Sequence, residues 1–311
     1  MSYPIFFDSK NSLNLFGLKN NFEFLRNLYL KKKLPRVLML SGNKGTGKST
    51  LINHFIYSIF DFQKYDLERL SLTEDSSLYK QYKENIFSNI IYINGSDLKS
   101  VKVEDVRNLR TKIFQSTISD EDRFIILDDV EVFNHNSLNA LLKIIEEPSK
   151  KNYFFLINNK SKMLLETIKS RSIELKIILS ENQRLEIIDK LINHFKLELI
   201  LDPKKSKLSP GNFIKFNHIF KENNISISND LIENISLLLS LYKKEKDILF
   251  VNIAVFISDY YFRHLKEKNI LKNDKIYEIK NYIFNNLNNL KLYNINQNAL
   301  IGNLRAKLNY E

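Results

Sequence analysis

A glycine-rich run near the start of the chain has the strongest chemical character in the sequence. Residues 42–49, Gly-Asn-Lys-Gly-Thr-Gly-Lys-Ser, match the pattern G-x-x-x-x-G-K-[ST] in full. Glycines in this pattern let backbone N–H groups turn inward around phosphate oxygens. Lys48 would then reach the β- and γ-phosphates of a nucleotide, and Ser49 would place its hydroxyl on Mg²⁺. The candidate nucleotide contacts are Gly42, Asn43, Lys44, Gly45, Thr46, Gly47, Lys48, Ser49 and Thr50.

Three further positions complete a candidate site. Asp128 and Asp129 follow the apolar run 124–127, where a carboxylate would face a magnesium ion beside the glycine-rich loop. We assign Asp128, with Ser49, to the metal and Asp129 to catalysis. Asn159 closes the next apolar run, where an amide could orient a water molecule near the γ-phosphate; the spacing fits an ordinary turn asparagine equally well.

Arg171 lies on the segment Thr167–Ser172. An arginine there could reach the γ-phosphate of a neighbouring subunit, as an arginine finger supplied in trans. It could equally be a surface arginine, and the spacing alone leaves both interpretations open.

These residues require a particular arrangement of strands and helices. Short apolar runs predict buried strands of a parallel sheet; they are 37–41, 90–93, 124–127, 153–157 and 173–178. Between them, apolar residues recur every three or four positions. One such helix, from 138 to 145, follows the capping residues Asn134 and Asn136 and stops before Pro148, and another covers Val103–Ile113. Strands that alternate with helices predict a doubly wound α/β domain over residues 1–176.

The strand signal fades after residue 176. Ser180–Gln183 is a capping box, and Ser209-Pro210-Gly211 predicts a turn into a helix. Apolar spacing then predicts four helices, near 229–243, 247–268, 274–290 and 296–309. We therefore predict a small helical domain at 177–222 and a helical bundle at 223–311.

Composition excludes several classes of protein. The chain has no cysteine, which excludes disulfides and four-cysteine zinc modules, and its five histidines show no metal-ligand spacing. No secretory signal is visible, and the longest apolar candidate, Ile248–Ile257, is too short for a membrane span. We expect a cytoplasmic protein with no membrane partner. The net charge of +11 fits a nucleic-acid partner or simply a lysine-rich composition.

Two further segments carry a resemblance to a known family. Ser137–Pro148, with the sequence Ser-Leu-Asn-Ala-Leu-Leu-Lys-Ile-Ile-Glu-Glu-Pro, resembles the "NALLKxLEEP" helix of DNA clamp loaders. Thr167–Ser172 resembles their "SRC" motif, with Ser172 in place of the cysteine. Leu34-Pro35 and Val103–Arg110 also fit, so the likeness covers residues 12–178.

The resemblance implies an AAA+ core, a helical lid and a helical collar that joins five subunits into a ring. Such a ring opens a sliding clamp and loads it onto primed DNA, powered by ATP. By position, Lys48 and Ser49 would contact nucleotide, Asp128 the metal, Asn159 would be a sensor, and Arg171 the trans-acting finger.

Three departures from the γ/τ motor of this family favour the δ′ type of subunit. The motor has Asp-Glu where this chain has Asp128-Asp129, and a lid arginine where this chain has Gly211. The motor's zinc module is absent, and residues 61–90 hold a polar segment with tyrosines instead. The resemblance therefore implies bound ATP and Mg²⁺, no zinc, weak or absent hydrolysis by this chain, and γ/τ and δ subunits as partners in a hetero-pentameric ring.

Two alternatives remain open on the sequence. The chain could be the γ/τ-type ATPase motor itself. It could also be a nucleic-acid-binding AAA+ protein such as a helicase loader, with Arg107, Arg110 and Lys112 lining a DNA channel. Those three residues fit a solvated helix face as well.

Overall fold

The computed structural model describes residues 3–95, 111, 121–148, 151–227, 230–267, 273–292 and 297–308. They fall into two compact units. The first contains residues 3–196 together with 208–214, and the second contains 197–207 together with the residues from 215 onward. The predicted lid segment 177–222 is divided between the two units, so the division into three domains stays a prediction.

Parallel strands form the centre of the first unit, as the apolar runs predicted. The strand bounds are β1 Val37–Ser41, β2 Tyr65–Asp66, β3 Ser71–Leu72, β4 Ile90–Asn94, β5 Arg123–Asp128, β6 Asn152–Asn158 and β7 Ile173–Lys176. Five of them make one sheet in the order β4-β5-β6-β1-β7, and every neighbouring pair is parallel. Each of these five strands begins and ends within one or two residues of the predicted bounds.

Helices follow most of the strands. Their bounds are α1 Lys19–Leu30, α2 Lys48–Phe60, α3 Ser77–Lys83, α4 His135–Ile145, α5 Glu166–Lys169, α6 Glu181–Phe195, α7 Pro203–Ser206, α8 Pro210–Glu222, α9 Leu231–Glu245, α10 Ile248–Glu267, α11 Asn273–Leu292 and α12 Gln297–Leu308. The Asn134 side chain accepts a hydrogen bond from the Ser137 N–H, and Ser180 and Gln183 form a capping box, as predicted. The prediction of Asn136 as a second cap of α4 is wrong, because α4 begins at His135 and Asn136 lies within it. The helix predicted at Val103–Ile113 lies outside the described residues.

The central strands β1, β5 and β6 are buried on both faces, which explains why they are apolar without alternation. The strand predicted at 173–178 is present as β7 but is largely exposed, because it lies at the edge of the sheet. Along β1, Leu38 and Leu40 belong to the core on the α2 side, whereas Met39 belongs to the core on the α4 side. A strand covered on both faces needs an apolar residue at every position. The β1 strand is therefore rigidly held at the point where the glycine-rich loop begins.

Aromatic packing organises residues 61–90, where the resemblance led us to note a missing zinc module. Strands β2 and β3 pair antiparallel, and the Ser76 hydroxyl caps α3 by accepting from the Tyr79 N–H at 3.1 Å. Tyr79 and Tyr82 then pack edge-on against Tyr57 of α2. Aromatic contacts of this kind bury a large area and stabilise the segment against α2.

The second unit is helical, and the four predicted C-terminal helices are confirmed as α9 to α12. Helix α10 packs against α9 and α11, and α12 packs against α9 and α11. By length and composition α10 alone, among the described helices, meets the minimum for crossing a membrane, with 44% of its most apolar window buried. Phe250, Ile253 and Ile257 lie on its buried face, which is the usual character of a core helix.

Phe124 provides a test of the core. It is fully buried at the start of β5, and its ring lies 5.5 to 6.1 Å from five other aromatic rings, those of Tyr29, Phe55, Phe60, Tyr153 and Phe155. We expect Phe124→Ala to lower the free energy of unfolding by about 3–5 kcal/mol, since it leaves a cavity that the sheet cannot close. Phe62→Ala, at a ring that is 68% exposed, is the control and should change it little. Urea unfolding of both variants measures the difference, and equal losses would contradict the assignment of Phe124 to the core.

Candidate functional site

The glycine-rich loop joins the buried strand β1 to helix α2, the context that the motif requires. Residues 42–47 form the turn, and α2 begins at Lys48 with Gly47 as its N-cap residue. Gly42 has φ +154°, and a Cβ atom at this position would lie 2.4 Å from the Ile177 carbonyl oxygen. The loop therefore passes too close to the β7 segment for any side chain at residue 42.

Lys48 is buried within the loop. Its ammonium donates hydrogen bonds to the carbonyl oxygens of Gly42 and Asn43, at 2.8 and 2.7 Å. Burial lowers the pKa of Lys48 to about 8, and the nearby carboxylates of Asp128 and Glu131 oppose that shift. The side chain is thus held at the mouth of the loop, where its charge would attract phosphate oxygens.

Asp128, at the end of β5, is the centre of a polar network. Its Oδ2 atom accepts hydrogen bonds from the Ser49 hydroxyl at 2.6 Å and from the Tyr92 hydroxyl at 2.9 Å. Its Oδ1 atom accepts from the Asp129 N–H at 2.8 Å. Burial raises the pKa of Asp128 and opposes its ionisation, whereas the hydrogen bonds from Ser49 and Tyr92 favour the charged form. The structure thus brings together the two residues that the sequence assigned to magnesium.

Asp129 is also buried, but its carboxylate is already engaged by side chains. Its Oδ2 atom forms an ion pair with the Lys44 ammonium at 2.7 Å, and its Oδ1 atom accepts from the Asn159 amide at 2.5 Å. Lys44 lies at the apex of the loop and Asn159 follows β6. Three segments that are remote in sequence therefore meet at one carboxylate.

Glu131 holds the loop that carries Asn159. One oxygen of its buried carboxylate accepts from the backbone N–H groups of Asn159 and Ser161, at 3.1 and 3.2 Å, and from the Ser161 hydroxyl at 2.8 Å. These bonds fix the Asn159 backbone, and its amide also reaches Asp128 at 3.3 Å. Asn159 is therefore held by local structure against both aspartates.

Sequence reasoning missed three parts of this site: Tyr92, Glu131 and the partner of Lys44. Tyr92 lies within strand β4, where a tyrosine is an ordinary core residue, and Glu131 follows the two aspartates without a motif of its own. Its position three residues after Asp128 was the one signal available for Glu131.

Arg171 makes contacts that are separate from the network around Asp128 and Asp129. Its Nε and Nη2 atoms bind one carboxylate oxygen of Glu146 at 2.9 and 2.8 Å, and its Nη1 atom donates to the Thr167 carbonyl oxygen at 3.1 Å. Among the contacts of the described residues, none joins Arg171 to the glycine-rich loop of its own chain. Arg107, Arg110 and Lys112, considered for a DNA channel, lie outside the described residues.

The arrangement fits a nucleotide with magnesium. Mg²⁺ in such sites takes one or two protein ligands and completes its shell with phosphate oxygens and water. Ser49 and Asp128 would supply the protein ligands, and they already lie 2.6 Å apart. Lys48 and the N-terminus of α2 would hold the phosphates.

Comparison with known proteins relates this chain to subunits of DNA polymerase III. A family model described as "DNA polymerase III, delta subunit" matches residues 17–180, about half of the chain and within the first unit. The gamma subunit of DNA polymerase III from Buchnera aphidicola subsp. Schizaphis graminum is 24% identical over 225 residues, which is 69% of this chain and 60% of the relative. The delta′ subunit from the same organism is 28% identical over 198 residues, 61% of this chain and 60% of the relative.

The chain thus spans at most 60% of the length of these curated relatives. Among solved structures, a gamma-subunit-related protein of Thermotoga maritima superposes over 92% of this chain and 97% of its own, with a TM-score of 0.49 and 15% sequence identity.

Glu131 offers a test of the site. Glu131→Ala would leave two backbone N–H groups and one hydroxyl without their acceptor, and each unsatisfied buried group costs about 1–3 kcal/mol. We expect a loss of stability in urea and faster hydrogen exchange of the Asn159 and Ser161 amides.

Glu131→Gln is the matched control, because its amide oxygen can still accept these hydrogen bonds. It should retain most of the protection at both amides. Slow exchange in Glu131→Ala would mean that Glu131 does not hold this loop.

Proposed function

Because this chain belongs to the DNA polymerase III delta-subunit family of AAA+ clamp-loader proteins, we propose that it acts as a δ′-type subunit of a clamp loader. In that role it binds ATP and Mg²⁺, helps to load a sliding clamp onto primed DNA, and supplies Arg171 to the ATPase site of a neighbouring subunit. The observation that carries the proposal is that Arg171 is partly exposed and that its contacts, among those of the described residues, are with Glu146, Thr167 and Ser170 and not with its own phosphate loop.

The loop supports nucleotide binding by this chain. The glycine-rich turn, the buried Lys48 and the Ser49–Asp128 pair provide a phosphate cradle and two metal ligands.

Hydrolysis at the same site has weaker support. Asp129 stands where the motor subunits have a glutamate, and it is shorter by one methylene group. Both of its oxygens are engaged, one by Lys44 and one by Asn159. A carboxylate that is fixed in this way is poorly placed to orient a water molecule, and displacement by about 1 Å can cost a hundredfold in rate.

Arg171 has the geometry of a residue offered to another chain. It follows α5, its side chain is 37% exposed, and Glu146 and Thr167 hold one edge of its guanidinium. An arginine carries five N–H donors, and Glu146, the Thr167 carbonyl and the Ser170 hydroxyl engage four of them, so one N–H on Nη2 remains for an incoming phosphate. Glu146 limits the motion of the side chain, which lowers the entropy lost when a phosphate binds.

The proposed partners follow from the same role. They are γ/τ and δ subunits in a hetero-pentameric ring, with the sliding clamp and primed DNA contacted through the assembled complex. The proposed location is the cytoplasm, where DNA replication takes place in bacteria.

The γ/τ-type motor is the second candidate. The phosphate loop is complete, and the similarity to a gamma subunit extends over 69% of this chain, further than the similarity to the delta′ subunit of the same organism. The motor hypothesis requires that the ion pair between Asp129 and Lys44 breaks during turnover, so that the Asp129 carboxylate can orient the attacking water molecule.

Nucleotide turnover by the purified chain separates the two candidates. We expect the chain to bind ATP in the presence of Mg²⁺ and to release phosphate no faster than Lys48→Ala, in which binding is lost. The measurements are calorimetric titration with ATP and a phosphate-release assay at saturating ATP. Steady turnover that Lys48→Ala abolishes would favour the motor.

Arg171→Ala tests the trans-acting role in a loader reconstituted with motor and δ subunits. Removal of an arginine finger costs about 10³-fold or more in the step that it serves. We expect DNA- and clamp-stimulated ATP hydrolysis to fall while assembly of the ring persists.

Lys169→Ala is the control for this variant, since Lys169 is a cation on the same segment whose partner is Glu166. It should leave hydrolysis unchanged. An unchanged rate in Arg171→Ala would rule out the finger.

A further inference from the structure

The turn Ser209-Pro210-Gly211, which we call the lid turn, hydrogen-bonds two backbone carbonyl groups at the apex of the phosphate loop. The Ser209 hydroxyl donates to the Lys44 carbonyl oxygen at 2.6 Å, and the Gly211 N–H donates to the Gly45 carbonyl oxygen at 2.8 Å. The lid turn and the loop belong to the same compact unit.

Helix chemistry explains why the lid turn can donate. The first N–H groups of a helix have no partner within the helix. Helix α8 begins at Pro210, which has no N–H, so Gly211 carries the first free donor. The Gly45 carbonyl oxygen satisfies that donor.

The two carbonyl groups also fix the direction of two N–H groups. In a planar trans peptide the N–H points opposite to the C=O of the same unit. The Lys44 and Gly45 carbonyls face the lid turn, so the N–H groups of Gly45 and Thr46 face the opposite way. In a phosphate loop, the N–H groups that point inward are the ones that bind phosphate oxygens.

Close packing leaves no room for side chains at this contact. A Cβ atom on Gly211 would lie 3.1 Å from both the Cα atom and the carbonyl oxygen of Gly45. A Cβ atom on Gly45, where φ is +83°, would lie 2.8 Å from the Asn212 nitrogen. On its other side, the apex is anchored by the ion pair between Lys44 and Asp129.

We propose that Ser209 and Gly211 are positioning residues of the nucleotide site, which hold the peptide units at Lys44 and Gly45 in the orientation that binds phosphate. The inference rests on the nucleotide binding in the proposed function. Coupling between two binding events is reciprocal. Nucleotide in the loop therefore tightens the lid turn, and the chain senses an occupied loop through the hydrogen bonds of Ser209 and Gly211.

The first measurement is the affinity of the full chain for ATP with Mg²⁺, by calorimetric titration. We expect Ser209→Ala to weaken binding about two- to tenfold, the range that one net hydrogen bond spans. Ser209→Thr keeps the hydroxyl and should restore affinity. Gly211→Ala should weaken binding as well, because its methyl group displaces Gly45, although alanine is the better helix former.

Two control variants match these changes. Gly302→Ala also places a methyl group on a helical glycine, but nothing lies within 4 Å of its Cβ position. Ser240→Ala removes a serine hydroxyl that donates to the Leu237 carbonyl oxygen at 2.7 Å, in helix α9. Both should bind ATP as the unaltered chain does.

The second measurement is hydrogen exchange of the Gly211 amide with and without ATP and Mg²⁺. We expect nucleotide to slow this exchange in the unaltered chain, and a purely structural turn would show no such dependence. The inference is overturned if Ser209→Ala binds ATP with unchanged affinity, or if nucleotide does not change the hydrogen exchange of the Gly211 amide. Either result would leave the proposed nucleotide binding intact. If the unaltered chain binds no ATP, the proposed nucleotide site fails and the inference fails with it.

Discussion

Four ionisable side chains are buried together at the carboxyl end of the sheet, and the rest of the first unit is arranged to satisfy them. Lys48, Asp128, Asp129 and Glu131 are each less than a tenth exposed. Burial of a charge is costly unless the group is paired and hydrogen-bonded. The order β5-β6-β1 places the ends of three neighbouring strands side by side, so the loop after β1, the aspartates after β5 and Asn159 after β6 can share partners.

The pairing has a chemical consequence. Lys48 is held by carbonyl oxygens of its own loop, which a phosphate can replace at little cost because both are oxygen acceptors. Asp129 is held by Lys44 and Asn159, which are anchored elsewhere. The carboxylate of Asp129 is therefore held by side chains, whereas the ammonium of Lys48 can exchange its present acceptors for phosphate oxygens.

The polar chemistry of the chain is concentrated in the first of its two compact units. The family match and the candidate site both lie in the first unit. Helix α8 has its first turn in the first unit and its later turns in the second, so the chain itself is continuous from the lid turn into the helical unit. The second unit contributes packed helices, with α10 as its most apolar member.

The sequence by itself determined the elements and the residue types of the site. Continuous apolar runs were sufficient to predict the five strands, and Ser180 with Gln183 was sufficient to predict the start of a helix. Both features depend on residues that are close together in the sequence. The phosphate-loop pattern is also formed by residues that are adjacent in the sequence. The aspartates after β5 were expected beside this loop because parallel strands end at the same edge of the sheet.

Only the tertiary structure decided how these groups are used. The Lys44–Asp129 ion pair joins residues 85 positions apart, and the Ser209 hydroxyl reaches a carbonyl 165 positions away. Tyr92 and Glu131 have no motif, since their role comes from facing Asp128 and Asn159 across the sheet edge. The pattern of residues along the chain specifies which groups arrive at that edge. Which of these groups form hydrogen bonds or ion pairs with each other depends on the distances between their polar atoms, and the folded backbone sets those distances.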